Sequence, residues 1–211
     1  MNDIKDIRKA LFLLGGHDLE MKVIRQTLER EGVAFADHGL DWDGARLSSY
    51  REEIAEAVER GREIYGIELK EDISLPEAYH RIDHHNELSA NPSSIEQVYE
   101  LLGIALDKRA KMVAANDKGY IPAMLEAGAT EEEAMSIRRE DRKAQGVTDE
   151  DERLAEEAIK GKRSMGILTV VRSATSRFSA VTDKLWPYRR LLVYTDTELE
   201  YSGEHALSRV C

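Results

Sequence analysis

Apolar residues fall in short blocks separated by turn residues and amphipathic stretches. The run Ala10-Leu11-Phe12-Leu13-Leu14, closed by Gly15-Gly16, predicts a buried strand. Met21, Ile24 and Leu28 then recur at helical spacing up to Gly32, a residue suited to a helix C-cap. Val33-Ala34-Phe35-Ala36 predicts a second strand, and residues 48–60 a charged helix with Ile54 and Val58 on one face. Ile64 to Leu69 and Ala78 to Ile82 predict two further strands, and Ser94 to Leu106 a helix with Ile95, Val98, Leu102 and Leu106 inward. Strands alternating with helices point to βαβ units and a mostly parallel sheet, hence an α/β fold.

The pattern changes near residue 126. Thr130 followed by Glu131-Glu132-Glu133 is a capping-box start, and the helix it opens runs to the break at Gln145-Gly146-Val147-Thr148. A second helix is expected over Asp149 to Lys160. Two β-branched strands follow, Gly166 to Val171 and Leu191 to Thr195, flanking 179–185. The expected organisation is a domain over 1–125, a helical linker over 126–161 and a small α+β domain over 162–211.

Composition excludes several classes. With 42% hydrophobic and 34% charged residues over 211 positions, the chain is globular rather than disordered. One cysteine, Cys211, rules out a disulfide framework and a thiolate zinc site. No apolar run reaches the roughly 20 residues that span a bilayer, and Met1 to Asp6 lacks the features of a signal peptide, so a cytoplasmic protein without membrane contact is expected. The net charge of −11 is uneven: nearly all the acidic excess lies in residues 1–105. Residues 160–190 hold eight bases, Lys160, Lys162, Arg163, Arg172, Arg177, Lys184, Arg189 and Arg190, against one acid, Asp183. Such a stretch either meets phosphates or is a solvated face.

Ligand sites in parallel α/β folds lie beyond the carboxyl ends of the strands. Four strand ends, or expected ones, carry carboxylates or imidazoles: His17, Asp18 and Glu20; Glu68; Asp83-His84-His85-Asn86; and Asn116-Asp117-Lys118-Gly119 after Ala110–Ala115. Oxygen and imidazole donors without thiolate suit Mn²⁺ or Mg²⁺. Asp37-His38 and Asp41-Trp42-Asp43 form another polar cluster. It either approaches the same pocket, with Trp42 against a base, or is a polar loop around a half-buried indole; His80, on the strand before Asp83, reads as packing.

Ile82-Asp83-His84-His85-Asn86, with a strand before it and acidic markers on either side, resembles the signature of the DHH phosphoesterase superfamily over roughly residues 8–125. That superfamily includes RecJ-type exonucleases, nanoRNA and cyclic-dinucleotide phosphodiesterases, and manganese pyrophosphatases. The resemblance implies a Rossmann-like catalytic domain and a hydrolase using one or two Mn²⁺ or Mg²⁺ ions held by His17, Asp18, Glu20, Glu68, His84 and Asp117. Glu68 matches the carboxylate that bridges two ions, and Asp117 the one that closes the second site. Asp83 would orient His84 from outside the ion's own ligands, and His85 would meet the substrate phosphate, making Asp83 and His85 catalytic. Glu stands at 20 and 68 where the superfamily has Asp, and His17 abuts Asp18 without the usual intervening turn.

In that superfamily a smaller C-terminal domain binds the rest of the substrate. Arg172, Arg177, Arg189 and Arg190 would hold substrate phosphates there, although the usual glycine-rich motif is reduced to Ser202-Gly203-Glu204-His205. Either this domain is reduced, or a second copy or another chain completes it. Three readings follow: a metal-dependent phosphoesterase acting on a nucleotide, short oligonucleotide or cyclic dinucleotide; a degenerate relative that binds nucleotide or metal without turnover; or a subunit of a larger assembly.

Overall fold

The computed structural model describes residues 7–203. Met1 to Asp6, Glu204-His205 and Cys211, which the sequence reading used, lie outside the described residues. Two compact units divide between Ala144 and Gln145.

The first unit contains a four-stranded, all-parallel sheet in the order β2-β1-β3-β4, built from β1 (Leu11–Leu14), β2 (Ala34–Asp37), β3 (Ile64–Ile67) and β4 (Tyr79–Ile82). Every side chain of β1 is buried, which explains why this strand reads as a continuous apolar run rather than an alternating one. Leu11 and Leu13 share one core with Leu47, Tyr50 and Ile54 of the segment that carries α2 (Arg51–Glu59). On the helical side, α1 (Leu19–Glu31) contacts α3 (Ser94–Leu102), α4 (Lys108–Glu126) and α5 (Glu131–Ala144).

Local signals set the helix boundaries. Gly32 ends α1 in the left-handed conformation at φ 67°, and Gly103 ends α3 in the same way. Thr130 and Glu133 exchange the capping-box hydrogen bonds at the start of α5. The helix α3 is therefore shorter than the sequence suggested. In α4 the regular backbone breaks at Gly119 and Tyr120, the latter at φ 55°, and helix resumes with Pro122 in its first turn after the break.

The second unit holds a mixed sheet in the order β5-β6-β7-β8: β5 (Arg163–Met165), β6 (Leu168–Arg172), β7 (Arg190–Tyr194) and β8 (Leu199–Gly203). Only β6 and β7 pair in parallel. The helices α6 (Asp149–Lys160) and α7 (Ser179–Leu185) complete it, around a core of Ala155, Val171, Phe178, Val181, Leu191 and Val193. The expected linker over 126–161 is thus split: α5 belongs to the first unit and α6 to the second. No helix among the described residues is long and apolar enough to cross a membrane.

Candidate metal centre

The turn from β1 into α1 carries Asp18 and Glu20 among the expected ligands; Glu20 joins a cluster of orphaned donors, and Asp18, capping the helix, does not. Asp18 is the N-cap of α1, its Oδ1 accepting from the Met21 amide at 2.8 Å, and Glu20 lies buried in the first turn. This turn must approach the end of β3 closely: a Cβ on Gly15 would sit 2.5 Å from the Glu68 carbonyl oxygen. Only glycine fits there.

Glu68 follows β3 with φ 51°, a left-handed conformation that costs a non-glycine residue energy. Two hydrogen bonds hold it. Its amide donates to the Ile82 carbonyl at 2.9 Å, and its Oε1 accepts from the Ser94 hydroxyl at 2.6 Å. The start of α3 also serves Glu20, whose Oε1 accepts from the Ile95 amide at 3.1 Å.

His84, immediately after the Asp83 that follows β4, is the hub. Its Nε2 lies 2.6 Å from Asp117 Oδ2, 3.5 Å from Glu68 Oε1 and 3.6 Å from Glu20 Oε2. Despite that crowding, His84 Nε2, Glu20 Oε2, Glu68 Oε2 and Asp117 Oδ2 are buried without a properly aligned hydrogen-bond partner. Buried polar atoms are almost always satisfied, so four orphans in one cluster require an explanation. A ring nitrogen of His85 joins donors of Glu68, His84 and Asp117 within 4.8 Å of one another. A cation at this cluster would satisfy the orphans and offset the repulsion among the acids.

Electrostatics agree with that need. Burial, reinforced by the charge of Glu68, pushes the Asp18 carboxyl up to about 8. Burial likewise raises Glu20, although contact with His84 partly opposes it. Burial would lower the His84 imidazole, but Asp117, Glu20 and Glu68 together raise it to about 12. Without a metal, the cluster takes up protons to contain its own charge.

Asp83 does something other than expected. Its carboxylate accepts from the His85 amide at 2.9 Å, contacts His85 Nδ1 at 3.1 Å and pairs with Arg81 at 2.7 Å. It therefore orients His85 rather than His84. Burial would raise its carboxyl, but the His85 amide and the Arg81 guanidinium hold it below the usual range. His85 remains 41% exposed in its side chain and lies against the His84 ring, at 4.3 Å between centroids.

Two further expectations are corrected. His17 is exposed, its Nδ1 against the Leu40 carbonyl at 3.1 Å, and it does not join the orphaned donors. Asp117 is not at a strand end but inside α4, two residues before the break in that helix. Sequence reasoning also missed Ser94 and a buried network behind the site. There, Asp141 of α5 accepts from the Leu19 amide at 3.2 Å and from Asn116 at 3.1 Å, and Arg138 donates to Asp141 at 2.7 Å. Polar residues on an otherwise charged helix gave no signal of burial.

The proposed phosphate-holding arginines all belong to the second unit. Arg172 pairs with Asp196 at 2.7 Å, Arg177 and Arg189 are exposed, and Arg190 is partly buried on β7. Local acids answer part of this basic stretch: Lys184 pairs with Glu152 and Glu156, and Lys160 with Glu157. No protein-family model and no curated protein matches this sequence.

Proposed function

We propose that the protein is a metal-dependent phosphoesterase, a divergent relative of the DHH superfamily that hydrolyses a phosphodiester of the nucleotide class. The observation that carries this reading is the convergence of four orphaned donors, from Glu20, Glu68, His84 and Asp117, at the carboxyl end of a parallel sheet. These four residues would hold Mn²⁺ or Mg²⁺, and when bound such an ion supplies Lewis acidity toward a phosphoryl oxygen and lowers the pKa of water.

The chain's own residues supply the rest. Ser94 and the Ile95 amide fix one oxygen each of Glu68 and Glu20, which leaves the other oxygen of each for the cation. Asp83 fixes the His85 ring through Nδ1. His85, exposed over the cluster, would use its other ring nitrogen to donate a hydrogen bond to the phosphoryl group.

A second reading, binding without turnover, is favoured by one observation: His17 stays with the Leu40 carbonyl, and a single cluster of donors is assembled among the described residues. The two readings separate in one experiment, the Mn²⁺-dependent hydrolysis of bis(p-nitrophenyl) phosphate by the parent, Glu68→Gln and Glu68→Asp. The phosphoesterase reading expects turnover by the parent, none by Glu68→Gln and a residual rate for Glu68→Asp. Turnover that survives Glu68→Gln refutes the assignment of Glu68, and a parent that binds Mn²⁺ without turnover establishes the second reading.

A further inference from the structure

Beside the donor cluster lies a cavity of about 500 Å³, lined among others by Trp42, Glu68, Lys70, Arg81, His85 and Asn86. Ligand pockets commonly have this size. Glu68 and His85 belong to the donor group, so the cavity opens directly onto it.

Its most unusual wall is Trp42, 49% exposed and among the largest apolar side chains left in water. The indole is nevertheless held in place. It meets the His85 ring edge-on at 5.8 Å between centroids. Its six-membered ring lies over Gly16, where an added Cβ would come within 3.3 Å of it and the backbone has φ +80°. The loop that carries it is closed by the Gly44 amide donating to Asp41 Oδ1 at 2.7 Å, and His17 fastens the same loop through the Leu40 carbonyl. An exposed aromatic held from several sides is a preorganised surface, because little side-chain freedom is left to lose on binding.

The cavity also has cationic walls. Arg81 is engaged with Asp83. Lys70 is exposed and has no acidic partner among the described residues, so its ammonium can meet an anion. A flat π-surface, a lysine and a metal-binding cluster in one cavity suit a ligand that carries a planar ring close to a phosphate.

We propose that Trp42 is a stacking platform for the base of a nucleotide whose phosphate lies over the donor cluster, so that the substrate is recognised by a terminal base within the first unit. This rests on the phosphoesterase reading for the position of the phosphate. Inorganic pyrophosphate and alkyl phosphates make no use of the indole and are disfavoured as substrates. Stacking tolerates any base, because every base has a π-face; selection is therefore for a nucleotide over its base-free counterpart.

The test is calorimetric titration of the full chain, with Mn²⁺ present, by AMP and by ribose 5-phosphate, which shares the sugar and phosphate but lacks the base. AMP should bind roughly ten-fold more tightly, the scale of one base stacked on an aromatic ring. Trp42→Ala should bring AMP down to the level of ribose 5-phosphate without changing the latter, and Trp42→Phe should keep part of the preference. Equal affinities in the parent overturn the platform, as does a Trp42→Ala variant that weakens both ligands alike. Turnover of a diester, measured in parallel, separates the two ideas. Turnover without base preference overturns the platform alone, whereas base preference without turnover overturns the phosphoesterase reading and leaves the platform standing.

Discussion

Replacing Asp18 by Asn should stabilise the metal-free protein, although Asp18 caps a helix. The cap itself survives, because the asparagine Oδ1 can still accept from the Met21 amide. What disappears is an ionisation. Burial and the neighbouring Glu68 raise the Asp18 carboxyl from 3.8 to about 8 in the folded protein. Between those two values the folded state keeps a proton that the unfolded state releases, so stability is greatest below the unfolded value and falls as pH rises. At pH 7 the cost is about 4 kcal/mol, of which about 3 kcal/mol accrues between pH 5 and pH 7. For a protein of this size that is a drop of roughly 6–12 °C in Tm. His84 acts in the same direction above its ordinary value of 6.5, since its folded value is raised to about 12. The assay is thermal unfolding in EDTA at pH 5, 6, 7 and 8. The parent should lose stability steadily across that range. Asp18→Asn should lose less, the remaining slope coming from Glu20 and His84, and should exceed the parent by about 4 kcal/mol at pH 7. A variant that falls as steeply as the parent refutes burial of this carboxyl as the cause. Mn²⁺ should reverse the trend, because binding to deprotonated donors strengthens as pH rises.

Three other perturbations probe different parts of the site. Gly15→Ala places a Cβ 2.5 Å from the Glu68 carbonyl; it should cost about 2 kcal/mol or more and remove the Tm gain with Mn²⁺, both measured by thermal unfolding. Asp141→Ala removes the carboxylate facing the buried Arg138 guanidinium; a loss of about 3 kcal/mol in urea unfolding is expected, with weaker Mn²⁺ binding because Asn116, the neighbour of Asp117, loses one of its two hydrogen bonds. Charge reversal at Arg177 and Arg189 should weaken binding of a short oligonucleotide and flatten its salt dependence in a fluorescence anisotropy titration; a parent that binds nothing at low salt identifies this basic stretch as a solvated face.

The sequence was most informative where one local cause fixed the outcome. The glycine-bounded run at Leu11–Leu14, the C-cap at Gly32 and the capping box at Thr130 each needed only neighbouring residues, and each element formed as read. The polar markers Glu20, Glu68, His84 and Asp117 were legible for the same reason: each stands out in its own segment. Asp117 was located on the wrong element because Asn116-Asp117-Lys118-Gly119 has the composition of a turn. The backbone does break there, but helix resumes beyond it. The strands β5 and β8 have no apolar run, and pairing with β6 and β7 creates them. Burial of Arg138 and Asp141 is likewise non-local. Nothing along Ile137 to Arg142 says which charges will meet Asn116, a residue more than twenty positions away. The role of Asp83 was misjudged by one residue, since adjacency alone cannot say which imidazole a carboxylate will face.

The boundary at Gln145 separates two kinds of change that this chain can undergo. Glu20, Glu68, His84 and Asp117 all precede it, as does Trp42. Mutations after the boundary leave the identity of these donors untouched, while drift before it is constrained at several mutually dependent positions. Gly15 and Glu68 make that dependence concrete, because Gly15 cannot gain a Cβ unless the backbone at Glu68 shifts. Recombination at 144/145 is therefore a natural engineering joint: fusing residues 1–144 to unrelated binding domains keeps the donor cluster and Trp42 together on one piece.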